Sequence, residues 1–449
     1  MESLQQTKVS VIGAARSGVA VARLLQSQGA DVFVSDRQRP EELVQATAEL
    51  QGAGIPFETG SHSLRVYECS LMVVSPGVPS NAPVVLEAQR RGIRIVSELE
   101  VGSWFCRAPM IAVTGSNGKT TTTTLIGRVL GDAKKKHVVA GNIGTAFSSV
   151  VLELAETDLA VLEVSSFQLD HIATFRPAIA VLLNVTPDHM DRYDHSMEKY
   201  SASKARVFEN QEHDDVLVYD ADDEWTVNIL PKARCRTVGF SVQKRLAEGA
   251  FVEEGDLVIS LSGTKSVVVP AEQITLKGTH NLYNAMAAAL VGQLCGVSAA
   301  SIRATLRNFK GVEHRLEFVR ELEGVRYIND SKATNVDSVW YALQAYREPI
   351  VLLMGGRDKG NDYSRLTQLV QKNVRAVVAI GESADKVEQA FRRVTAVMRA
   401  SSMNEAVAAA RSLARRGDIV LLSPACASFD WFRNFEHRGQ VFKQLVNAL

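Results

Sequence analysis

Cysteine is scarce and scattered. The five, Cys69, Cys106, Cys235, Cys295 and Cys426, include no C-x-x-C pair, which argues against a zinc ribbon or a disulfide framework and points to a reducing cytoplasm. An excess of either charge is also missing. Lys plus Arg balances Asp plus Glu, 50 against 50, so no net field draws the chain to nucleic acid or to an anionic membrane. No apolar run approaches the ~20 residues that a membrane span needs, and the opening MESLQQTK has neither the basic start nor the apolar stretch of a secretion signal. The expectation is a cytoplasmic chain with no nucleic-acid partner and no membrane insertion. Heptads, internal repeats and low-complexity segments are lacking too. What remains is globular: 449 residues, 46% hydrophobic and 22% charged, enough for about three domains of ~150 residues.

The apolar residues that are present fall in short runs. KVSVIGAARSGVAVARLLQSQGADVFVSD reads as strand, glycine turn, helix, strand. SLMVVSPGVP, PMIAVTGSNG, LAVLEVSS, AIAVLLNV, PIVLLMGG, RAVVAIG and DIVLLSPA read as buried parallel strands ending in loops. The fold class expected is α/β with three domains. These are an N-terminal Rossmann-like domain over residues 1–97, a central phosphate-loop ATPase domain with a mainly parallel sheet over 98–312, and a C-terminal Rossmann-like domain over 313–449. Ligands of such folds sit at the carboxyl ends of the strands.

Two glycines are missing where motifs ask for them. The turn GAARSG, Gly13 to Gly18, followed by Asp36 at the end of the next strand, is close to a dinucleotide fingerprint but carries Ala15 in place of the middle glycine. That glycine lets the backbone approach a pyrophosphate, so a nicotinamide-dinucleotide reading is weakened. The second gap is in VTGSNGKTTTTTL, where Val113 stands at the first glycine of the phosphate-loop pattern. A strand leads in and a helix follows, which is the context the motif requires. The backbone N–H groups of Gly115, Ser116, Asn117, Gly118 and Lys119 could then wrap phosphates, with Lys119 adding a charge and the Thr120 hydroxyl sitting on Mg²⁺.

Polar clusters follow the loop. Asn142 in GNIG, Glu163 closing LAVLE, and Asp188 with His189 in NVTPDHMDRY all come at or after apolar strands. Mg²⁺ prefers oxygen ligands; Glu163 is placed to supply one, and His189 could serve a second cation. Tyr200 and Lys204 are four apart and share a helix face, a spacing that by itself is compatible with a solvated lysine. Asn281 and Asn284 in KGTHNLYNAMAAAL, His314 and Arg315 in GVEHRLE, and Asp330, Lys332, Thr334 and Asn335 in YINDSKATNVDS complete the set. Dense polar loops at strand ends usually bind something.

Taken in order, TGSNGKT, EVSSFQL, NVTPDHMDRY, GTHNLYNAMAA, GVEHRLE, NDSKATN and LLSPACASFDWFRNFEHRG resemble the Mur ligases, ATP-dependent amide-forming enzymes of peptidoglycan assembly, along essentially the whole chain. That family's phosphate loop also dispenses with the first glycine. The motifs look most like the branch that adds D-glutamate. The resemblance implies ATP, two Mg²⁺ ions and a CO2-derived carbamate on Lys204, with UDP-N-acetylmuramoyl-L-alanine and D-glutamate as substrates and a monomeric enzyme. It implies phosphate and metal contacts from Gly115 to Thr121, a first Mg²⁺ on Thr120 and Glu163, and a second on His189 and carbamylated Lys204. Asn281, Asn284, Arg315 and Asp330 match ATP contacts, Asn284 near the adenine and Asp330 near the ribose. Lys332, Thr334, Lys359, Ser428, Phe429 and Phe435 match the neighbourhood of D-glutamate. Ser17, Asp36, Arg37 and Gly77 match the UDP site, and Asn142 and His189 approach the muramoyl-alanine arm. Lys119, His189, Lys204 and Lys332 are the implied catalytic set.

Three other readings compete. A folylpolyglutamate synthase-like ligase shares ATP activation but not the UDP-type first domain. A scaffold that lost catalysis has no reason to keep Lys119, Glu163, His189 and Lys204 together, and a dehydrogenase leaves the phosphate loop unexplained.

Overall fold

The structure, a computed structural model, describes residues 4–188, 190–358 and 360–449. His189 and Lys359, both expected at the site, lie outside the described residues. Five strands form the first sheet: β1 (Lys8–Ile12), β2 (Asp31–Asp36), β3 (Phe57–Thr59), β4 (Leu71–Val74) and β5 (Arg94–Ser97). All are parallel, in the order β3-β2-β1-β4-β5. This is the arrangement expected of a βαβ start, with the strand order reversing beside β1. The glycine turn between β1 and the helix Arg16–Ser27 sits at that reversal. Gly18 is required there by close approach, since a Cβ would stand 1.8 Å from the Gly13 carbonyl oxygen.

The second sheet has nine strands in order β14-β13-β12-β11-β10-β9-β6-β8-β7. They are β6 (Met110–Thr114), β7 (His137–Gly141), β8 (Leu159–Glu163), β9 (Ile179–Leu182), β10 (Val216–Asp220), β11 (Arg236–Ser241), β12 (Gly249–Glu253), β13 (Asp256–Leu261) and β14 (Thr264–Pro270). The sheet is parallel from β7 to β12 and closes with the antiparallel β13 and β14. Val113 is the fourth residue of β6, paired with Glu163 and Val181 and fully buried. The sheet therefore runs through the position where a longer loop would need its first glycine, and the loop begins at Gly115.

The third sheet runs β15-β16-β20-β17-β18-β19, from β15 (Glu317–Leu322), β16 (Val325–Asn329), β17 (Ile350–Gly355), β18 (Val374–Ile380), β19 (Ala396–Arg399) and β20 (Ile419–Leu422). Only β15 is antiparallel. The central strands of all three sheets are apolar and buried on both faces, as helix-covered parallel strands must be.

By compactness the chain divides in two. One unit holds the residues up to Thr275 together with Asn281–Phe309, and the other holds Leu276–His280 with Lys310–Leu449. Within the first unit a continuous apolar cluster joins Val11 of the first sheet and Leu25 of the helix Arg16–Ser27 to Ala112 and Leu162 of the second sheet and to Tyr200 of the helix Met197–Ala205. The helix Glu98–Phe105, which follows β5, is anchored into that unit by two carboxylates. Glu98 accepts from the Ser148 N–H and hydroxyl, both at 2.7 Å. Glu100 accepts from the backbone N–H groups of Ala173, Thr174 and Phe175, the Thr174 hydroxyl and Trp104. No helix among the described residues is long and apolar enough to cross a membrane.

Candidate functional site

The loop after β6 is held in shape by its neighbours. The Asn117 N–H donates to the Asn184 side chain at 2.8 Å, the Asn117 carboxamide donates to the Thr186 hydroxyl at 3.2 Å, and the Ser116 hydroxyl donates to the Thr186 carbonyl at 2.8 Å. Lys119 folds across the loop, its ammonium donating to the Gly115 and Ser116 carbonyls at 2.7 and 2.8 Å. The 14-residue helix Lys119–Asp132 starts at Gly118, φ 84°, with no side chain capping its first turn. Its leading N–H groups and positive dipole end are thus offered to an anion. Gly118 is needed because a Cβ would stand 2.2 Å from the Asn284 carboxamide oxygen. Thr120 and Thr121 are buried in the first turn.

Asn284 was expected beside the adenine. Its carboxamide accepts from the Thr122 hydroxyl at 3.1 Å, donates to Asn281 at 3.3 Å, and abuts Gly118.

β8 adjoins β6, so Glu163, the last residue of β8, stands level with the loop entrance. It is 3% exposed. One carboxylate oxygen accepts from Asn142 at 2.9 Å, while the other is buried with no hydrogen-bond partner. A buried carboxylate oxygen without a donor is costly unless a cation or donor arrives.

Lys204 is 1% exposed, which removes the solvated-lysine reading that helix spacing allowed. Its ammonium lies 4.5 Å from the centroid of the Tyr200 ring, and Tyr200 Oη in turn meets Ser116 Oγ at 3.1 Å. Burial, and next the positive charge of Lys119, hold the Lys204 pKa well below the ordinary lysine range, against Asp188 and Asp170. Beneath it Asp170 accepts from the Ser203 hydroxyl at 2.5 Å and the Tyr193 hydroxyl at 3.1 Å. Sequence reading missed this Asp170–Tyr193–Ser203 network, although Asp170 ends the quoted EVSSFQLD.

At the first sheet, both oxygens of Asp36 hold backbone: Ala14 N–H at 2.6 Å and Gln38 N–H at 2.8 Å. Asp36 thereby fixes the glycine turn to the loop after β2. Ser17 is half-buried in the first turn of the helix and Arg37 is exposed. Gly77 is exposed, and its carbonyl lies 3.4 Å from the guanidinium of Arg192, which stacks 3.9 Å over the Phe167 ring.

In the second unit Asp330, after β16, accepts from the Ser423 hydroxyl at 2.8 Å and the Leu316 N–H at 3.2 Å. Burial pushes its pKa up to about 7 against Ser423 and Arg315. The Arg315 Nε is buried with no partner. Lys332 lies 5.3 Å over the Phe435 ring, Ser428 is 2% exposed, and Phe429 is 59% exposed. Besides the Asp330–Ser423 bond, these loops are joined by Arg438, which the sequence reading passed over. Its guanidinium, 1% exposed, donates to the Ser331 hydroxyl and carbonyl at 3.0 and 2.8 Å and to the Cys426 carbonyl at 3.1 Å. The signal was present: Arg438 shares the buried stripe of the helix Phe435–Ala448 with Phe442 and Val446, where the pattern calls for an apolar residue.

A phosphate loop on a mainly parallel sheet, with a buried carboxylate and a buried lysine beside it, defines a phosphate-loop nucleotide-binding protein. Comparison with known proteins narrows the class. Residues 7–97 match the MurD-like N-terminal domain of Mur ligases, 113–292 the Mur ligase middle domain, and 314–426 the Mur ligase glutamate ligase domain. The chain belongs to the Mur ligase family. A UDP-N-acetylmuramoylalanine–D-glutamate ligase of Salinibacter ruber is 46% identical over 458 residues, covering 100% of this chain and 99% of the relative. Among solved structures, a pseudomurein peptide ligase type C from Methanothermus fervidus shares the fold with a TM-score of 0.61 at 19% identity, covering 99% of this chain and 100% of that one. UDP-N-acetylmuramate-alanine ligase from Thermotoga maritima does so with a TM-score of 0.61 at 20% identity, with the same coverage.

Proposed function

We propose that the chain is the ATP-dependent ligase that joins D-glutamate to UDP-N-acetylmuramoyl-L-alanine in the cytoplasm, acting as a monomer, with residues 1–97 holding the UDP end, 98–312 ATP and 313–449 the amino acid. The observation that carries this reading is the conjunction of an uncapped phosphate-loop helix, the unpartnered buried oxygen of Glu163 at the neighbouring strand end, and the buried amine of Lys204, on a helix tied to the loop through Tyr200 and Ser116. Full-length likeness to D-glutamate ligases supports the choice of substrates.

A carboxylate is a poor electrophile, so ATP first transfers its γ-phosphoryl group to the L-alanine carboxylate, giving an acyl phosphate and ADP. Gly115 to Thr121 orient the phosphates through backbone N–H groups, and Lys119 exchanges its two carbonyl partners for phosphate oxygen. Mg²⁺ fits the donor set: Glu163 has an oxygen without a donor, and Thr120 adds a hydroxyl. Two such ions, the second on His189 and Lys204, would supply Lewis-acid charge at the transferring group. The amine of D-glutamate, gripped by Lys332, Thr334, Lys359, Ser428, Phe429 and Phe435, attacks the acyl carbon. The tetrahedral adduct collapses to amide and phosphate, and Lys332 supports its oxyanion. Asn281, Asn284, Arg315 and Asp330 hold the nucleoside end of ATP. Ser17, Asp36, Arg37 and Gly77 hold UDP, while Asn142 and His189 meet the muramoyl-alanine arm.

Lys204 becomes a ligand only once its sign is reversed. Its amine adds to CO2, forming an N–C bond and losing a proton, and the anionic carbamate offers oxygen where an ammonium would repel cations. Burial beside Lys119 favours the neutral amine that this step needs.

Phosphate release from ATP, measured with UDP-N-acetylmuramoyl-L-alanine and each of D-Glu, L-Glu, L-Lys and meso-diaminopimelate, tests the reading. D-Glu alone is expected to support turnover; equal rates with L-Glu, or turnover only with another amino acid, would sink it.

A further inference from the structure

β2 and β3 place Ser35 directly opposite Glu58 at the carboxyl edge of the first sheet. The Ser35 side chain is fully buried, and its hydroxyl lies 2.7 Å from a Glu58 oxygen and 2.7 Å from Nδ1 of His62, in the loop after β3. Glu58 also accepts the Ser63 N–H at 2.9 Å. Although burial pushes its pKa up, the bonds from Ser63 and Ser35 outweigh that and hold it below the usual carboxylate range. It is therefore an ionised acceptor.

Proton counting now fixes the histidine. Ser35 has one hydroxyl hydrogen, and the carboxylate takes it, so the contact with His62 must have Nδ1–H donating to the serine oxygen. In the neutral ring this leaves Nε2 as a lone-pair acceptor. Burial lowers the His62 pKa, so the ring is neutral at ordinary pH, and Asp36 is the largest charge it feels, ahead of Glu58 and Arg37. Ser35, which holds the ring, is the residue before Asp36 at the end of β2, so the triad adjoins the residues assigned to the uridine end, while the Asp36 oxygens already hold Ala14 and Gln38.

We propose that His62, locked by Ser35 and Glu58, accepts the N3–H of the uracil ring and so selects a uridine over a cytidine nucleotide. This rests on the reading of the first sheet as the UDP site. Uracil presents a donor at N3 between two carbonyls, whereas cytosine presents a lone pair there, which would face the lone pair of Nε2. Losing one such hydrogen bond is worth about tenfold in affinity.

The test is calorimetric titration of the full chain with UDP, CDP and N3-methyl-UDP. The intact protein is expected to bind UDP about tenfold tighter than either analogue. In His62→Phe the UDP advantage should vanish, and in Ser35→Ala, which frees the tautomer, it should shrink, with melting temperature reporting that both variants are folded. The ¹⁵N shifts of the imidazole should report protonated Nδ1. N3-methyl-UDP binding within about twofold of UDP, or an undiminished UDP preference in a folded His62→Phe, overturns the role of His62. Failure of the intact chain to bind any of the three nucleotides overturns the UDP-site reading itself.

Discussion

The phosphate loop and the loops of the C-terminal unit are both strand-end polar clusters, yet they are held in opposite ways. The first is local. Gly115 to Thr120 are consecutive, Lys119 closes on carbonyls three and four residues back, and the support from Asn184 and Thr186 comes from the end of the adjacent strand. The second is remote. Asp330, Ser331 and Lys332 lie about a hundred residues from Cys426 to Ser428, and the guanidinium of Arg438 ties the two segments together. A local site can lose a functional side chain without losing its shape, whereas a site whose remote segments share a buried cation loses several hydrogen bonds with that one side chain.

The largest effect that sharpens this contrast is expected at Lys119. Lys119→Ala should lower turnover by about 10³ or more, because charge at the transferring phosphoryl group is removed, while the melting temperature stays close to that of the parent. A folded variant with near-parent turnover would break the loop assignment. Lys204→Ala comes next, with a loss of about 10² to 10³ and partial recovery on adding formate or acetate, which restores an anionic oxygen in the vacated space. Parent-like activity with no response to carboxylate would show that the amine only packs.

Arg438 tests the other half of the comparison. Arg438→Met keeps much of the volume but leaves the Ser331 and Cys426 carbonyls buried without donors, at a cost of about 3 kcal/mol to the second unit. Because it acts through Lys332 and Ser428, it should raise the KM for D-glutamate more than it lowers kcat, with partial recovery in Arg438→Lys. A melting loss with no change in the KM for D-glutamate would make Arg438 a packing residue alone.

The same contrast explains what could be read from the sequence. The family, the three α/β sheets and the phosphate loop were legible because contiguous motifs and apolar runs carry them. The antiparallel β13, β14 and β15 were not read, although DLVISLSGTKSVVVP carries two apolar runs around a Ser-Gly turn; a hairpin appended to a parallel sheet breaks the strand-helix alternation that guided the rest. Burial was the other gap. Helical spacing put Lys204 beside Tyr200 but gave no sign that both would be enclosed, and nothing local to Arg438 told which carbonyls it would meet. For Asn284, likewise, nothing local told that its carboxamide would meet Gly118 and Thr122, which depends on the packing of two helices.

The smallest effect is expected where a buried charge serves no substrate. Glu98 is fully enclosed, one of its oxygens accepts both Ser148 donors, and the other is buried without a partner. Burial pushes its pKa up, against the Ser148 bonds and the charge of Arg16. A carboxyl whose folded pKa exceeds its unfolded one favours the folded state in its protonated form, and that advantage is lost as pH rises through the folded value. Glu98→Gln keeps an oxygen for Ser148 and cannot ionise. It should therefore melt above the parent by about 1–3 °C near pH ~8, with the gap closing as pH falls through the ordinary carboxylate range, where both folded and unfolded parent are protonated. Turnover should be unchanged. Adjacent Glu100 makes the control: burial pushes it up too, but the bonds led by Thr174 hold its pKa down, so Glu100→Gln should lower the melting temperature, most at high pH. If Glu98→Gln were instead destabilising, and more so as pH rises, Glu98 would be an ion-pair partner of Arg16 and the helix Glu98–Phe105 would be held by charge.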